Sequence, residues 1–419
     1  MTFSAPLSDQ LRKHVSRDDV LALLKGAVAR QSITGNEVNF VDYLQGQMAG
    51  LRLDPVRADF LPGRPNIWGE RKGAGNGNRL LFIGHTDTVH VRGWEEHWAG
   101  TERQDPFGGA VIDGEIWGRG TGDLKAGICS ALAALQLIDN AGLKLKGDVA
   151  FAFVGDEESG EPGTGVSAGI KDFTGRVLAG EIEKSDFAIY VEPTRLAVFP
   201  AQMGFFIAEV KITGKSAYFG VPEQGVDALK ASHSVLSAIW AHSAAIAARA
   251  EHDLVGRAFA LVTEINGGGY IAVPGECRLS LIRKLLPQEN LDDAVAELEA
   301  AIHGAGVEDG ITIEIAYPAG RDHEFGGSPA EVAADLQPIT NLTEALEHAM
   351  PGRGQIEGAP YWSEAPFLIH QIGCPAVYCA PGDITNCHTL EERVDIEEYV
   401  AGIVAFATFI ASYCGVVEE

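Results

Sequence analysis

Residues 149–160 read Val-Ala-Phe-Ala-Phe-Val-Gly-Asp-Glu-Glu-Ser-Gly, an apolar run that ends in three consecutive carboxylates. Six apolar residues without alternation fit a strand buried on both faces, as in the parallel sheet of an α/β protein. Ligands of such a sheet collect beyond the carboxyl ends of its strands. The pattern recurs along the chain. Leu80-Leu81-Phe82-Ile83 leads into Gly84-His85-Thr86-Asp87, and a strand over 187–191 leads into Glu192. Asp123 ends the loop Gly118-Arg119-Gly120-Thr121-Gly122-Asp123, ahead of a small-residue helix expected over 124–140. This places His85, Asp123, Glu157, Glu158 and Glu192 on one rim of an open sheet.

The remaining elements follow from spacing. Apolar residues at helical intervals run through 19–50, and a Gly-, Asn- and Pro-bearing loop is expected before Leu80. A strand-like segment covers 110–117. From 201 the pattern changes to strand 204–213, helix 226–248, strands 258–266 and 277–286, helix 290–304 and strand 311–317. That order, β-α-β-β-α-β, is the ferredoxin-like split motif. We therefore expect a first part of an α/β domain over 1–200, an inserted domain over 201–319, and the second part over 320–419. The second part holds helix 338–349, strand 375–379, the His388 loop and helix 396–413.

A chain of 419 residues can bury two cores. Its net charge of −26 argues against nucleic acid or an anionic membrane surface as partner. The six cysteines are scattered without CxxC spacing, which fits a reducing compartment. The N-terminal residues lack the apolar core of a signal peptide, and no apolar run approaches the ~20 residues that span a bilayer. A cytoplasmic protein with a small-molecule substrate is the expectation.

Imidazole and carboxylate without thiolate suit a divalent Zn, Mn or Co ion. A site that activates water needs several ligands, an open position and a base. Asp87, two residues after His85, could accept the second imidazole N–H with its carboxylate. A lone His-x-Asp is more often structural, and an Asp after glycines is usually a turn or N-cap residue. Glu157 and Glu158 are more telling. Adjacent residues in extended chain point opposite ways, so one can bind metal while the other faces water. Cys387 and His388 are neighbours in sequence and seldom face each other, which argues against a thiol–imidazole pair.

Taken in order, the segments GHTDTV (84–89), DPFGGAVIDGEIWGRGTGDLKAG (105–127), FVGDEESG (153–160), YVEPT (190–194), GKSAYFGVPEQGVDAL (214–229), SEAPFL (363–368) and APGDITNCHTLEE (380–392) resemble the metallopeptidase family of acetylornithine deacetylase, succinyl-diaminopimelate desuccinylase and carboxypeptidase G. The resemblance spans nearly the whole chain. It implies an open mixed-sheet, zinc-peptidase-like catalytic domain with an inserted ferredoxin-like domain that mediates dimerisation. It also implies one or two divalent ions per subunit. His85, Asp123 and Glu192 would hold one ion, and Asp123, Glu158 and His388 the other. Glu157 would be the general base, and Asp87 would orient His85.

The substrate-facing positions depart from the family. Its usual Ala-His reads Ala217-Tyr218 here, so a phenol replaces the imidazole that contacts the oxyanion across the dimer. Ile271 replaces an asparagine. Lys284 stands where a carboxylate-clamping arginine is expected, unless Arg283 takes that place. Extra aromatic residues, among them Trp94 and Trp98, occupy 90–103, as a packed surface loop or as a pocket wall. Ser363 opens the SEAPFL segment and is a further candidate contact.

The leading expectation is an amidohydrolase that removes an acyl group from an amino acid-like compound by metal-activated water. The alternative is hydrolytic deamination of an aminoaromatic acid, as in relatives resembling nitroanthranilate aminohydrolase. Loss of the oxyanion histidine fits that route. A dipeptidase or carboxypeptidase, and a catalytically silent binding protein, are lesser alternatives.

Overall fold

The computed structural model describes residues 5–159, 161 and 163–418, so Gly160 of the 149–160 segment lies outside the described residues. The chain divides into two compact units: Met1–Pro200 with Val332–Gly358 and Phe367–Glu419, and Ala201–Glu331 with Ala359–Pro366.

The first unit is built on a mixed sheet. Strands Val149–Val154, Leu80–His85, Phe187–Tyr190 and Ala376–Tyr378 lie side by side and parallel. The Val149 and Leu80 strands are buried at every residue, as their unbroken apolar sequence requires. Phe82 sits 5.5 Å from Phe151 and 5.3 Å from Phe406, ring centre to ring centre. Helix Ile396–Tyr413 is long and apolar enough to cross a membrane, yet 83% of it is buried inside the fold. It packs on helices Ala126–Asn140 and Gln337–Ala349 and is a core helix.

Helix Ala126–Asn140 sits close to the sheet because Gly127 has no side chain. A Cβ there would lie 2.3 Å from the Val191 carbonyl oxygen, one residue before Glu192. The helical expectation over 19–50 resolves into two helices, Arg17–Val28 and Val38–Gly50. The loop expected before Leu80 is corrected: Val56–Leu61 and Arg64–Arg71 form an antiparallel hairpin that adds to the Val149 strand. Pro62 and Gly63 make its turn, with Gly63 at φ 73°. The first hairpin strand is largely exposed and carries charged residues, so its sequence lacks the apolar signature of a buried strand.

A second small sheet pairs Ala110–Ile112 with Glu115–Trp117, and the latter with Arg393–Asp395. It brings the Gly118–Asp123 loop beside the segment that follows His388.

The second unit is the βαββαβ fold that the spacing predicts. Its antiparallel sheet runs in the order Phe259–Gly267, Glu276–Leu285, Gly204–Thr213, Thr312–Ala316, with helices Ala228–Arg249 and Leu291–His303. The Glu276 strand alternates buried and accessible residues, with Cys277, Leu279 and Leu281 in a core shared with Phe206, Val235 and Leu298. The unit continues past 319. Gly326 and Gly327 pair with Phe206 and Phe205, and Trp362 donates a 3.0 Å hydrogen bond to the Ser328 carbonyl.

The turn after the Val149 strand is held by a buried ion network. Arg64 contacts Glu37 at 2.5 Å and Asp156 at 2.8 Å, and both carboxylates are wholly buried. Asp156 also accepts from the N–H groups of Gly165, Val166 and Ala168, ahead of helix Ala168–Leu178. Removing the arginine alone leaves two buried carboxylates uncompensated. Arg64→Met is expected to lower stability by about 3–5 kcal/mol, read as a large fall in melting temperature. Arg52→Ala, which removes a largely exposed arginine from its pair with Asp139, is the control and should change little. Equal melting of the two variants would contradict the role given to Arg64.

Candidate metal centre

His85, Asp123, Glu157, Glu158, Glu192 and His388 all belong to the first unit and converge. The geometry follows from the sheet. His85 is the last residue of its strand, Glu157 and Glu158 lie just past Val154, and Glu192 lies two residues past Tyr190. These three parallel strands end on one side, so their terminal side chains meet. Asp123 enters from the turn before helix Ala126–Asn140, and His388 from the loop after the Ala376 strand.

The donor atoms form overlapping triads within which every atom lies within 4.8 Å of the others: His85–Asp123–Glu192, His85–Glu157–Glu158, and Asp123–Glu158–His388. His85 Nε2 is 3.0 Å from one Asp123 oxygen and 3.8 Å from Glu192. His388 Nε2 is 3.1 Å from the other Asp123 oxygen and 2.9 Å from Glu158. Asp123 thus faces one imidazole with each of its oxygens. His85, Asp123, Glu158 and Glu192 are buried, whereas the His388 side chain is half exposed and opens the site to solvent.

Asp87 acts differently from the expectation. His85 Nδ1 is 2.9 Å from the Asp87 main-chain carbonyl, while the carboxylate stands 3.8 Å away. The carboxylate instead accepts from the Glu158 N–H at 2.9 Å, the Glu157 N–H at 3.3 Å and the Thr34 hydroxyl at 3.1 Å. The β-bridge between Ile33 and Thr88 brings Thr34 there. Asp87 therefore orients His85 through its backbone and the Glu157–Glu158 turn through its side chain. Burial pushes the Asp87 carboxyl up to about 7, against the opposing pull of His85.

Electrostatics fit a cation. Four carboxylates and two imidazoles share the site, and no thiolate joins them: the Cys387 thiol donates to the Asp383 carbonyl, and burial raises its pKa. Burial opposes protonation of both histidines, but Asp123, Glu158 and their neighbours outweigh it. His388 is pushed up to about 11 and His85 well above its ordinary value. Asp123 is held below the usual carboxylate range by the two imidazoles, despite its burial. Protons on the histidines offset the carboxylate charge, and a divalent ion would take over that task while requiring neutral imidazole.

The other expected site residues divide. Trp94 is wholly buried, with its indole N–H on the Arg103 carbonyl, which leaves it no face for a substrate. The indole N–H of Trp98 donates to the Leu390 carbonyl at 2.6 Å, and Arg103 stacks over Trp98 and Trp117 at 4.6 and 3.7 Å. Both tryptophans of the 90–103 segment are thus held by packing, while most of its other residues are exposed. Tyr218, Ile271, Arg283, Lys284 and Ser363 lie in the second unit. Tyr218 and Ile271 are 60% and 58% exposed, on adjoining chain segments bridged at Tyr218–Ala272. Arg283 is corrected as a candidate clamp. It points into the unit's interior and is committed to Glu289 at 2.5 Å. Strand alternation turns Lys284 to the other face, where Nζ meets the Val255 carbonyl. Ser363 is buried and tied through its backbone to Gln202.

Two polar residues inside the quoted motifs were given no role by the sequence reading. Arg119 and Glu392 form a buried ion pair, and Glu392 accepts the N–H groups of Gly122 and Asp123 at 3.1 Å each. Their sequence signal is position: Arg119 lies within the Gly-rich loop and Glu392 four residues after His388.

Because both histidines hold protons in the metal-free protein, cation binding is expected to release protons at pH 7 and to tighten as pH rises. Calorimetric titration with Mn²⁺ or Zn²⁺ in two buffers of different ionisation enthalpy measures the release. Identical heats in both buffers would contradict the charge state given to His85 and His388.

Residues 81–412 match the model of peptidase family M20/M25/M40. The N-formyl-4-amino-5-aminomethyl-2-methylpyrimidine deformylase of Bacillus subtilis strain 168 is 25% identical, with 97% of each chain covered. The acetylornithine deacetylase of Myxococcus xanthus is 26% identical over 90% of this chain and 93% of its own. A crystal structure described as a dinuclear metal-binding peptidase of the M20 family from Bacillus subtilis shares the fold at a TM-score of 0.66 and 14% identity, covering 94% of this chain and 98% of that one. The chain belongs to peptidase family M20/M25/M40 and is a metal-dependent hydrolase of amide bonds that acts on a small molecule.

Proposed function

We propose that the protein is an N-deacylase that hydrolyses the amide of a small, carboxylate-bearing N-acyl amine, in the manner of acetylornithine deacetylase. The observation that carries this reading is the pair Glu157–Glu158. Asp87 fixes both backbone N–H groups, so Glu158 turns to Asp123 and His388 while Glu157 stays beside them, partly accessible. One glutamate then serves as ligand and the other as base.

Two ions fit the donors: one at His85, Asp123 and Glu192, the other at Asp123, Glu158 and His388, with Zn, Mn or Co suited to this chemistry. When bound, the ions supply Lewis acidity that polarises the substrate carbonyl and eases ionisation of water. Glu157 takes a proton from the attacking water and passes it to the departing nitrogen. Water is thereby added across the C–N bond, with its oxygen on the acyl carbon and hydrogen on the amine. The relatives' names, deformylase and deacetylase, denote acyl removal, and deamination of an aminoaromatic acid gains nothing from them.

For the second unit we propose a dimerisation role, with Tyr218 offering its phenol O–H to the substrate oxyanion in the partner's site. Its exposure, with Phe219, Tyr270 and Ile271 also open to solvent, supports this. Of the two candidate clamps, Arg283 and Lys284, we retain Lys284 for a substrate carboxylate, with its Nζ against the Val255 carbonyl.

With a panel of N-formyl and N-acetyl amino acids and aminoaromatic acids as substrates, Glu157→Gln is expected to lower kcat/KM about 10²–10⁴-fold while metal content stays at the wild-type level. A fully active Glu157→Gln enzyme would remove Glu157 as base. In the same series Tyr218→Phe should lower kcat about 10²-fold, and an unchanged rate would remove Tyr218 from the reaction.

A further inference from the structure

Arg119 and Glu392 are both almost wholly buried, yet neither is among the converging donors. Their hydrogen bonds run to the main chain around those donors. Arg119 Nη1 pairs with one Glu392 oxygen, Nη2 donates to the Thr389 carbonyl at 3.0 Å, and Nε donates to the His90 carbonyl at 3.2 Å. The other Glu392 oxygen accepts the N–H groups of Gly122 and of Asp123 itself. One ion pair therefore ties the Asp123 loop to the residue that follows His388.

The second imidazole has need of such support. His388 has a left-handed backbone, φ 61°, which a non-glycine residue adopts only when its surroundings impose it. The residues after it are held at Thr389 by Arg119 and at Leu390 by Trp98. By contrast, two of the three donors of the other triad are anchored independently of the pair: His85 through the Asp87 carbonyl, and Glu192 two residues past the end of the Phe187 strand.

We infer that the Arg119–Glu392 pair is a positioning device that orients Asp123, which both ion sites share, and His388, which only the second uses, so that its loss weakens the second cation more than the first. The inference rests on the two-ion reading of the site. Outer-shell partners of this kind change metal affinity about 10–100-fold. Removing one charge would strand the other in the interior, whereas removing both avoids that cost.

The test is equilibrium dialysis and calorimetric titration of chelator-treated full-length protein with Co²⁺, following the visible absorption of each ion. Wild type is expected to take two ions. The double variant Arg119→Met/Glu392→Met should bind the second ion about 10–100-fold more weakly and the first with a clearly smaller loss, because the first meets the pair only through Asp123. Arg119→Lys keeps a cation beside Glu392 but gives up the guanidinium's bonds to the Thr389 and His90 carbonyls, and should fall in between. It carries the test by itself if the double variant does not fold. Wild-type affinity for both ions in the folded variants, or equal weakening of both, would overturn the inference alone. A wild type that takes a single ion would overturn the two-ion reading and the inference with it.

Discussion

Like charge held out of water is the constraint on which this molecule turns. Asp123, Glu158 and Glu192 are buried at the carboxyl end of a parallel sheet, with Glu157 beside them and two imidazoles for company. Carboxylates this close cannot all stay ionised without cations among them. In the metal-free protein, protons on His85 and His388 supply part of the compensation, which is why their pKa values rise in spite of burial. Divalent ions supply it better, because each draws on more than one carboxylate at once.

Much of the surrounding structure serves to hold these side chains at fixed positions. Strand ends deliver His85 and Glu192, the carboxylate of Asp87 sets the Glu157–Glu158 turn, and Arg64 with Asp156 secures the chain just before it. The loops that deliver Asp123 and His388 are joined at their bases by the pairing of Glu115–Trp117 with Arg393–Asp395, and need further support nearer the donors. A buried ion pair and the indole of Trp98 take that part. Such pairs add little net stability compared with apolar packing, and their value here lies in geometry.

How much of this was legible in the sequence depended on whether the signal was local. The Val149 and Leu80 strands announced themselves as apolar runs ending in polar residues, and the βαββαβ order could be read from spacing alone. The hairpin at 56–71 could not, because its outer strand is solvated and charged and its turn residues resemble a loop. The donors were readable as residue types at strand ends. What each backbone atom does was not: His85 leans on a carbonyl of Asp87 that any residue would possess. Arg119 and Glu392 meet across 273 positions, and no local pattern connects residues so far apart. Arg283 and Lys284 were separable only once strand alternation was fixed, one to the interior and the other to the opposite face.

Membership of the family and the donor geometry together define amide hydrolysis by a metal enzyme, while Tyr218 and Lys284 are the contacts we propose to select the acyl group and amine. The most direct measurement is an anomalous difference map from crystals soaked in Mn²⁺. Peaks are expected between His85, Asp123 and Glu192 and between Asp123, Glu158 and His388. Absence of both, or a peak confined to the Glu70–Asp148–Glu183 cluster that Lys72 and Arg79 already neutralise, would contradict the metal centre.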